Sequence, residues 1–220
     1  MKLIANLVSW IFHPLFMLSY ILLLLIWVDP YLFGVQDVKG EMKLFFPVFI
    51  STVIIPGFAI FMMKALKMVK SIEMQDKMDR TGPFIVTGMF YLWLFKNMFT
   101  NNNYPDIFTS FTLGATITLF VCFLINIINK ISVHAAAVAG FATMVFLILK
   151  EYYPGHPYVF IGQVGLSLPM VFILTLFIAG ITGTARLILK AHTLNQILVG
   201  YFVGIVSILI GDWVIFSGVL

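Results

Sequence analysis

Residues 108–128 read FTSFTLGATITLFVCFLINII, twenty-one residues without a charge. A helix needs about 20 apolar residues to cross the hydrocarbon core of a bilayer, and there its backbone must be hydrogen-bonded within the segment. This stretch is therefore predicted to be a membrane-spanning helix. Outward from it, six more stretches have the same character: Leu3–Val28, Lys43–Leu66, Phe84–Phe99, Val133–Lys150, Leu166–Leu187 and Gln196–Ser217. The third and fifth in chain order are short, so the count is six to seven. Of the 220 residues, 61% are hydrophobic and 10% charged, against about 25% charged in a soluble domain. The expected fold is all-α: a polytopic transmembrane helix bundle of about seven spans, forming one integral membrane domain over residues 1–220. No soluble domain, low-complexity tail or internal repeat interrupts it.

The single cysteine, Cys122, lies in an apolar run and can form neither an intrachain disulfide nor a metal site alone. The apolar stretch after Met1-Lys2 is too long for a signal peptide and is followed by no small-residue cleavage site. It is read as a retained first span. His13-Pro14 inside it predicts a kink with an interhelical hydrogen bond. Gly200-x3-Gly204 and Ala136-x3-Gly140 permit close helix packing. Trp10, Trp27, Tyr31, Trp93 and Tyr104 read as interfacial aromatics, and His156 as a solvated loop residue.

Seven crossings place the connections after spans two, four and six on one side, with the N-terminus. That side carries nine cations (Lys2, Lys64, Lys67, Lys70, Lys77, Arg80, Lys130, Arg186 and Lys190) against Glu73, Asp76 and Asp79. The other carries four lysines against six acids. The positive-inside rule makes the first side cytoplasmic, unless some of its cations are kept for a ligand. The same side holds Asp79-Arg80-Thr81-Gly82-Pro83, then Lys130-Ile131-Ser132-Val133-His134, then Arg186 with His192 six residues on and Gln196 after it. Both arginines of the chain and two of its four histidines thus fall at helix ends on one face.

Such a cluster suits a phosphate ester. Arginine presents a fork of donors to phosphate oxygens. Ser132 stands where it can cap span five and aim free N–H groups at an anion. Two histidines can divide nucleophilic attack and protonation of the leaving oxygen. The acids Glu73, Asp76 and Asp79 share one loop with lysines, whose charge they balance. No carboxylate cluster for a metal is apparent, and no cofactor or nucleic-acid partner is expected.

The arrangement resembles the type-2 phosphatidic acid phosphatase superfamily, whose motifs are Lys-x6-Arg-Pro, Pro-Ser-Gly-His and Ser-Arg-x5-His-x3-Asp. The third aligns as Ala185-Arg186-x5-His192-x3-Gln196 and the second as Ile131-Ser132-Val133-His134. The first is reduced to Arg80, with Pro83 displaced by two residues and Glu73 where the lysine belongs; Lys70 or Lys77 is a candidate substitute. The likeness covers about residues 70–204. It implies a membrane hydrolase for a lipid phosphate or isoprenoid diphosphate, with His192 as the nucleophile that becomes phosphorylated and His134 as the acid. Arg80, Arg186, Ser132 and Lys77 are then phosphate-binding candidates, and the location an integral position in a bacterial inner (cell) membrane. Gln196 departs from the family's aspartate: its amide oxygen accepts a hydrogen bond but brings no charge. That departure keeps a second reading open, an inactive relative that binds anionic lipid or serves as a membrane scaffold. A small transporter ranks third, since the spans lack intramembrane carboxylates and two related halves.

Overall fold

The computed structural model describes residues 1–34, 38–70, 74, 76–101, 104–152, 158–161 and 164–218. Glu73 and His156 lie outside the described residues. The helices are α1 (Lys2–Ile11), α2 (Met17–Val28), α3 (Val38–Phe49), α4 (Ile55–Ala65), α5 (Thr81–Asn101), α6 (Asp106–Ile128), α7 (Val133–Leu147), α8 (Leu168–Ile188) and α9 (Leu194–Phe216). Among the described residues, six segments are long and apolar enough to cross a membrane: Lys2–Val28, Met42–Ala65, Asp106–Ile128, Val133–Glu151, Leu168–Ile188 and Leu194–Phe216. α5, with 21 residues, reaches about 31 Å at 1.5 Å per residue and is also of spanning length. The polytopic all-α bundle expected from the run lengths is the fold.

Its inside and outside follow membrane rules. Large apolar side chains such as Phe58, Phe61, Phe177 and Phe202 are exposed on the flanks, where lipid tails meet them. Several buried hydroxyls are satisfied within their own helix, as a medium without water favours. On α6, Thr112, Thr116 and Thr118 each donate to the carbonyl four residues back, at 2.7–2.9 Å. Small residues let the central helices touch. A Cβ on Gly204 would lie 2.1 Å from the Ala136 carbonyl oxygen, and one on Gly211 2.5 Å from the Gly114 nitrogen. Thus α9 packs backbone to backbone against α7 at one end and α6 at the other. Apolar packing fills the end away from the motifs, where Leu22, Leu25, Phe108, Phe111, Met144, Ile148 and Leu168 cluster.

Of the expected span Lys43–Leu66, residues 43–65 are helical, with Ile50–Ile54 forming a π-helical turn that joins α3 to α4. Pro56 follows; it has no N–H for the carbonyl of Thr52, and a local change of winding absorbs the gap. Lys150 and Glu151 likewise end α7 in a π turn. The start of span six is different from a plain helix. β1 (Tyr158–Ile161) and β2 (Val164–Ser167) pair antiparallel, with Val159 opposite Leu166, and the helix begins only after the Ser167 cap. Trp93 falls near the middle of α5 rather than at its end. Tyr104 donates its hydroxyl to the Leu44 carbonyl at 3.0 Å, tying the α5–α6 connection to α3.

The first span departs most from expectation. Instead of a kinked single helix, the chain stops at Phe12, passes through extended His13 and re-forms as a short 3-10 turn, Pro14–Phe16, before α2. Met1, Ile4, Ala5 and Val8 lie along a groove with Leu176, Phe177, Gly180 and Ala185 of α8. Ser9 meets Arg186 near the end of α8. α1 therefore runs alongside α8 in the same direction, whereas α2 turns back into the apolar cluster at the opposite end. With 10 residues, α1 is about 15 Å long and does not cross the bilayer alone.

Candidate active site at one end of the bundle

The connections after α4, α6 and α8 meet at one end, as the alternation of spans requires. There α7 starts at Ser132, whose buried hydroxyl accepts the Ala135 N–H at 3.3 Å. α9 starts at Thr193 with a capping box: Thr193 accepts from the Gln196 backbone, and the Gln196 side chain accepts from the Thr193 N–H. The Ser132 N–H also donates to the Gln196 carbonyl at 3.3 Å. Close approach of α9 to α7 makes this possible, since a Cβ on Gly200 would stand 2.6 Å from the Ser132 oxygen. The second and third motifs are thereby locked together by backbone contact.

Between them lies a pocket of about 150 Å³. Among the residues that line it are Arg80, His134, Arg186 and His192, with Val133, Met74, Pro83 and Phe84. His13 and Pro14 line it too. Four of the residues singled out by sequence spacing are thus brought to one cavity. Ser132 is not among the lining residues; its hydroxyl serves the helix cap. Lys77 is also absent from the lining: its ammonium donates to the carbonyls of Ile127 and Ile128 at 3.0 and 3.4 Å, at the C-terminal end of α6, where a cation meets the negative helix pole. Lys70 pairs with Asp76 at the surface, at 3.4 Å.

Arg80 ends a 3-10 turn, Met78–Arg80, leading into α5. Its Nε donates to the Met74 carbonyl at 2.9 Å and its Nη1 to the Ile131 carbonyl at 3.0 Å. These bonds fix the fork at the pocket wall with further donors left over. Arg186, in the last turn of α8, donates from Nη1 to the Ser9 hydroxyl at 3.3 Å. His134 stands one residue into α7, and its Nε2 lies 3.2 Å from the Ser9 carbonyl oxygen.

His192 is nearly buried, and its Nδ1 lies 3.1 Å from Gln196 Oε1. That oxygen also faces the Thr193 N–H at 3.3 Å. A backbone N–H only donates, so the atom between the two is the amide oxygen, and Nδ1 must carry a proton to it. In the neutral ring the lone pair is then on Nε2.

The pocket is electropositive. No carboxylate appears among its described lining residues. Burial and the neighbouring Arg186 push Arg80 down to about 10, still charged at neutral pH. Lys130, near the cluster, is lowered by partial burial and then by Arg80 and Arg186. Burial first, and Arg80 next, push His192 down to about 3, against the opposing pull of its bond to Gln196. The sign matters: a base whose charged form is disfavoured stays neutral as the pH falls past its ordinary value. If His192 serves as nucleophile, kcat/KM of the free protein should show no acidic limb near pH 6.5, the usual imidazole value, and should decline only nearer pH 3. A pH–rate profile in detergent checks this; a limb centred near pH 6.5 would contradict it.

Sequence reasoning missed Ser9, His13, Lys130 and the second function of Gln196. The last was legible, because Thr193-x-x-Gln196 ahead of an apolar run is a capping-box signature. Among the described residues, no group of three or more His, Cys, Asp or Glu side chains could hold a metal ion.

No curated protein and no solved structure matches the chain. The family model of the PAP2 superfamily matches residues 129–216, from the start of the second motif through α9. With the spanning helices around it, this match supports a membrane phosphatase type, and over residues 129–216 it agrees with the resemblance read from the motifs.

Proposed function

We propose that the protein is a membrane phosphatase that hydrolyses a lipid phosphate or isoprenoid diphosphate through a phosphohistidine on His192. One observation carries the reading: His134, His192, Arg80 and Arg186, from segments far apart in sequence, line one small electropositive pocket at one end of the bundle. The functional unit then extends beyond the matched segment to include Arg80.

In this mechanism Arg80 and Arg186 hold phosphate oxygens as charge builds on them. His192 Nε2 attacks phosphorus, and the bond from phosphorus to the leaving oxygen breaks. His134, entering as the imidazolium, gives that oxygen its second ring proton and becomes neutral. Water then attacks the phosphohistidine, the P–N bond breaks, and the water's proton returns to His134 as phosphate leaves. No cofactor is needed. Gln196 orients His192 by accepting from Nδ1, but unlike a carboxylate it offers no charge to the ring as that becomes cationic.

That neutral amide favours the second reading, an inactive relative that binds anionic headgroups. Phosphate release by the purified chain in detergent, over phosphatidate, lysophosphatidate and a polyprenyl diphosphate, separates the two. Turnover of any of them supports the phosphatase, and headgroup binding with no turnover supports the relative. The same assay applied to Gln196→Asp should show kcat raised about tenfold or more, since a carboxylate in place of an amide beside a catalytic histidine stabilises the imidazolium. An unchanged or lower kcat in a folded variant would show that the amide suffices.

A further inference from the structure

The break in the first span lies against the pocket rather than against lipid. Non-helical backbone at membrane depth is tolerated where protein covers it or where it lines a polar cavity. Here Pro14 has no N–H to continue the ladder of α1, so carbonyls of its last turn need other donors. The Tyr20 hydroxyl takes the Ile11 carbonyl at 2.9 Å. The Ser9 carbonyl meets His134 Nε2 at 3.2 Å, and the Ser9 hydroxyl meets Arg186 Nη1 at 3.3 Å. Ser9 is buried, so neither contact competes with bulk water. The His13 ring packs edge-on against His134, with centroids 5.1 Å apart and planes at 89°. Its Nδ1 faces the Leu15 N–H at 3.4 Å, which caps the 3-10 turn and anchors the ring.

From these contacts we infer that the broken first segment completes the active centre, with Ser9 and His13 as positioning residues for Arg186 and His134. The inference rests on the phosphatase reading for the roles of those two partners. A carbonyl only accepts, so it keeps a proton on His134 Nε2 in both charge states and leaves Nδ1 as the nitrogen that takes up the second proton, as the imidazolium, and passes it to the leaving oxygen. The hydroxyl holds the Arg186 fork at the pocket, and the His13 ring prevents His134 from turning about its bond to Ser9. The segment lies outside residues 129–216, so the matched part of the chain lacks these supports by itself.

The test uses the full chain in detergent and does not depend on turnover. Nitrogen NMR of imidazole-labelled protein, assigned with His134→Gln, reports the His134 tautomer. Binding of inorganic phosphate reports the Arg186 fork. At a pH where the ring is neutral, the wild type should show the Nε2–H form. Ser9→Ala should weaken phosphate binding about tenfold, the lower end for a hydrogen bond to a charged group, and Ser9→Thr should recover most of that loss. His13→Ala should give a mixture of tautomers, and His13→Phe, which keeps a flat ring, should restore the single form. A neutral wild-type His134 with its proton on Nδ1 rather than Nε2, or Ser9→Ala binding phosphate as the wild type does, would overturn the inference. If lipid phosphates are turned over, Ser9→Ala should raise KM and His13→Ala should lower kcat. Should the wild type turn over nothing while the tautomer and the Ser9 dependence hold, the phosphatase reading fails and the positioning role stands.

Discussion

His192→Ala is expected to lower phosphate release by about 10³-fold or more, the scale on which loss of a covalent nucleophile is felt when the rest of a site remains. The variant should still fold. The His192 side chain makes its hydrogen bond to Gln196, whose oxygen keeps the Thr193 N–H as a partner, so α9 retains its cap. Truncation also enlarges the pocket where an added imidazole molecule can sit. Exogenous imidazole should therefore restore part of the rate with His192→Ala and leave His134→Ala unaffected. His134→Ala should show its loss mainly with substrates whose leaving oxygen needs a proton, and much less with an aryl phosphate that departs as an anion. Release that persists in His192→Ala, measured against a preparation without the protein, would rule out this histidine as nucleophile.

Gly204→Ala should be among the most damaging single methyls at the described glycines. Its Cβ would stand 2.1 Å from the Ala136 carbonyl oxygen and 3.0 Å from the Gly140 nitrogen. Both are backbone atoms, so no side chain can swing aside, and the helices must separate. Overpacking in a tight core costs about 1–3 kcal/mol, and a backbone clash belongs at the upper end. In a bilayer, where van der Waals contact rather than water exclusion holds helices together, separation also forfeits the neighbouring contacts. The expected result is a large drop in the thermal midpoint in detergent, with phosphate release reduced in parallel, because α7 and α9 carry His134 and His192. Gly180→Ala is the matched control. Nothing lies within 4 Å of its Cβ, and alanine is the better helix former by about 1 kcal/mol. Equal stability of the two variants would refute the close-packing argument.

These two results probe different parts of what could be read from residue order. The spans were legible because the bilayer core has no water: a segment must satisfy its own backbone and present apolar flanks, and both demands act on consecutive residues such as 108–128. The Arg186-x5-His192-x3-Gln196 spacing was legible for a similar reason, since it bridges one helix end, one short turn and one helix start. The capping demand at Thr193 sits within the same few residues. A kink at Pro14 was legible from the missing N–H, a local property, but the full stop of the helix there was not.

Tertiary structure alone decided where the chain went after each local event. Nothing in the order of residues 1–28 shows that α1 lies beside α8 rather than continuing the line of α2. The contacts that bring Ser9 to His134 and Arg186 join positions 125 and 177 residues apart. Lys77 illustrates the same limit, since a lysine near an aligned arginine serves a phosphate or a helix end equally well until the end of α6 is placed beside it. The charge of His192 belongs here as well: burial and the approach of Arg80, not the identity of its sequence neighbours, hold it neutral. Local chemistry follows from covalent neighbours and from the solvent. Which groups share a pocket depends on how helices from distant parts of the chain pack, and that is settled by backbone contacts such as Gly204 against Ala136.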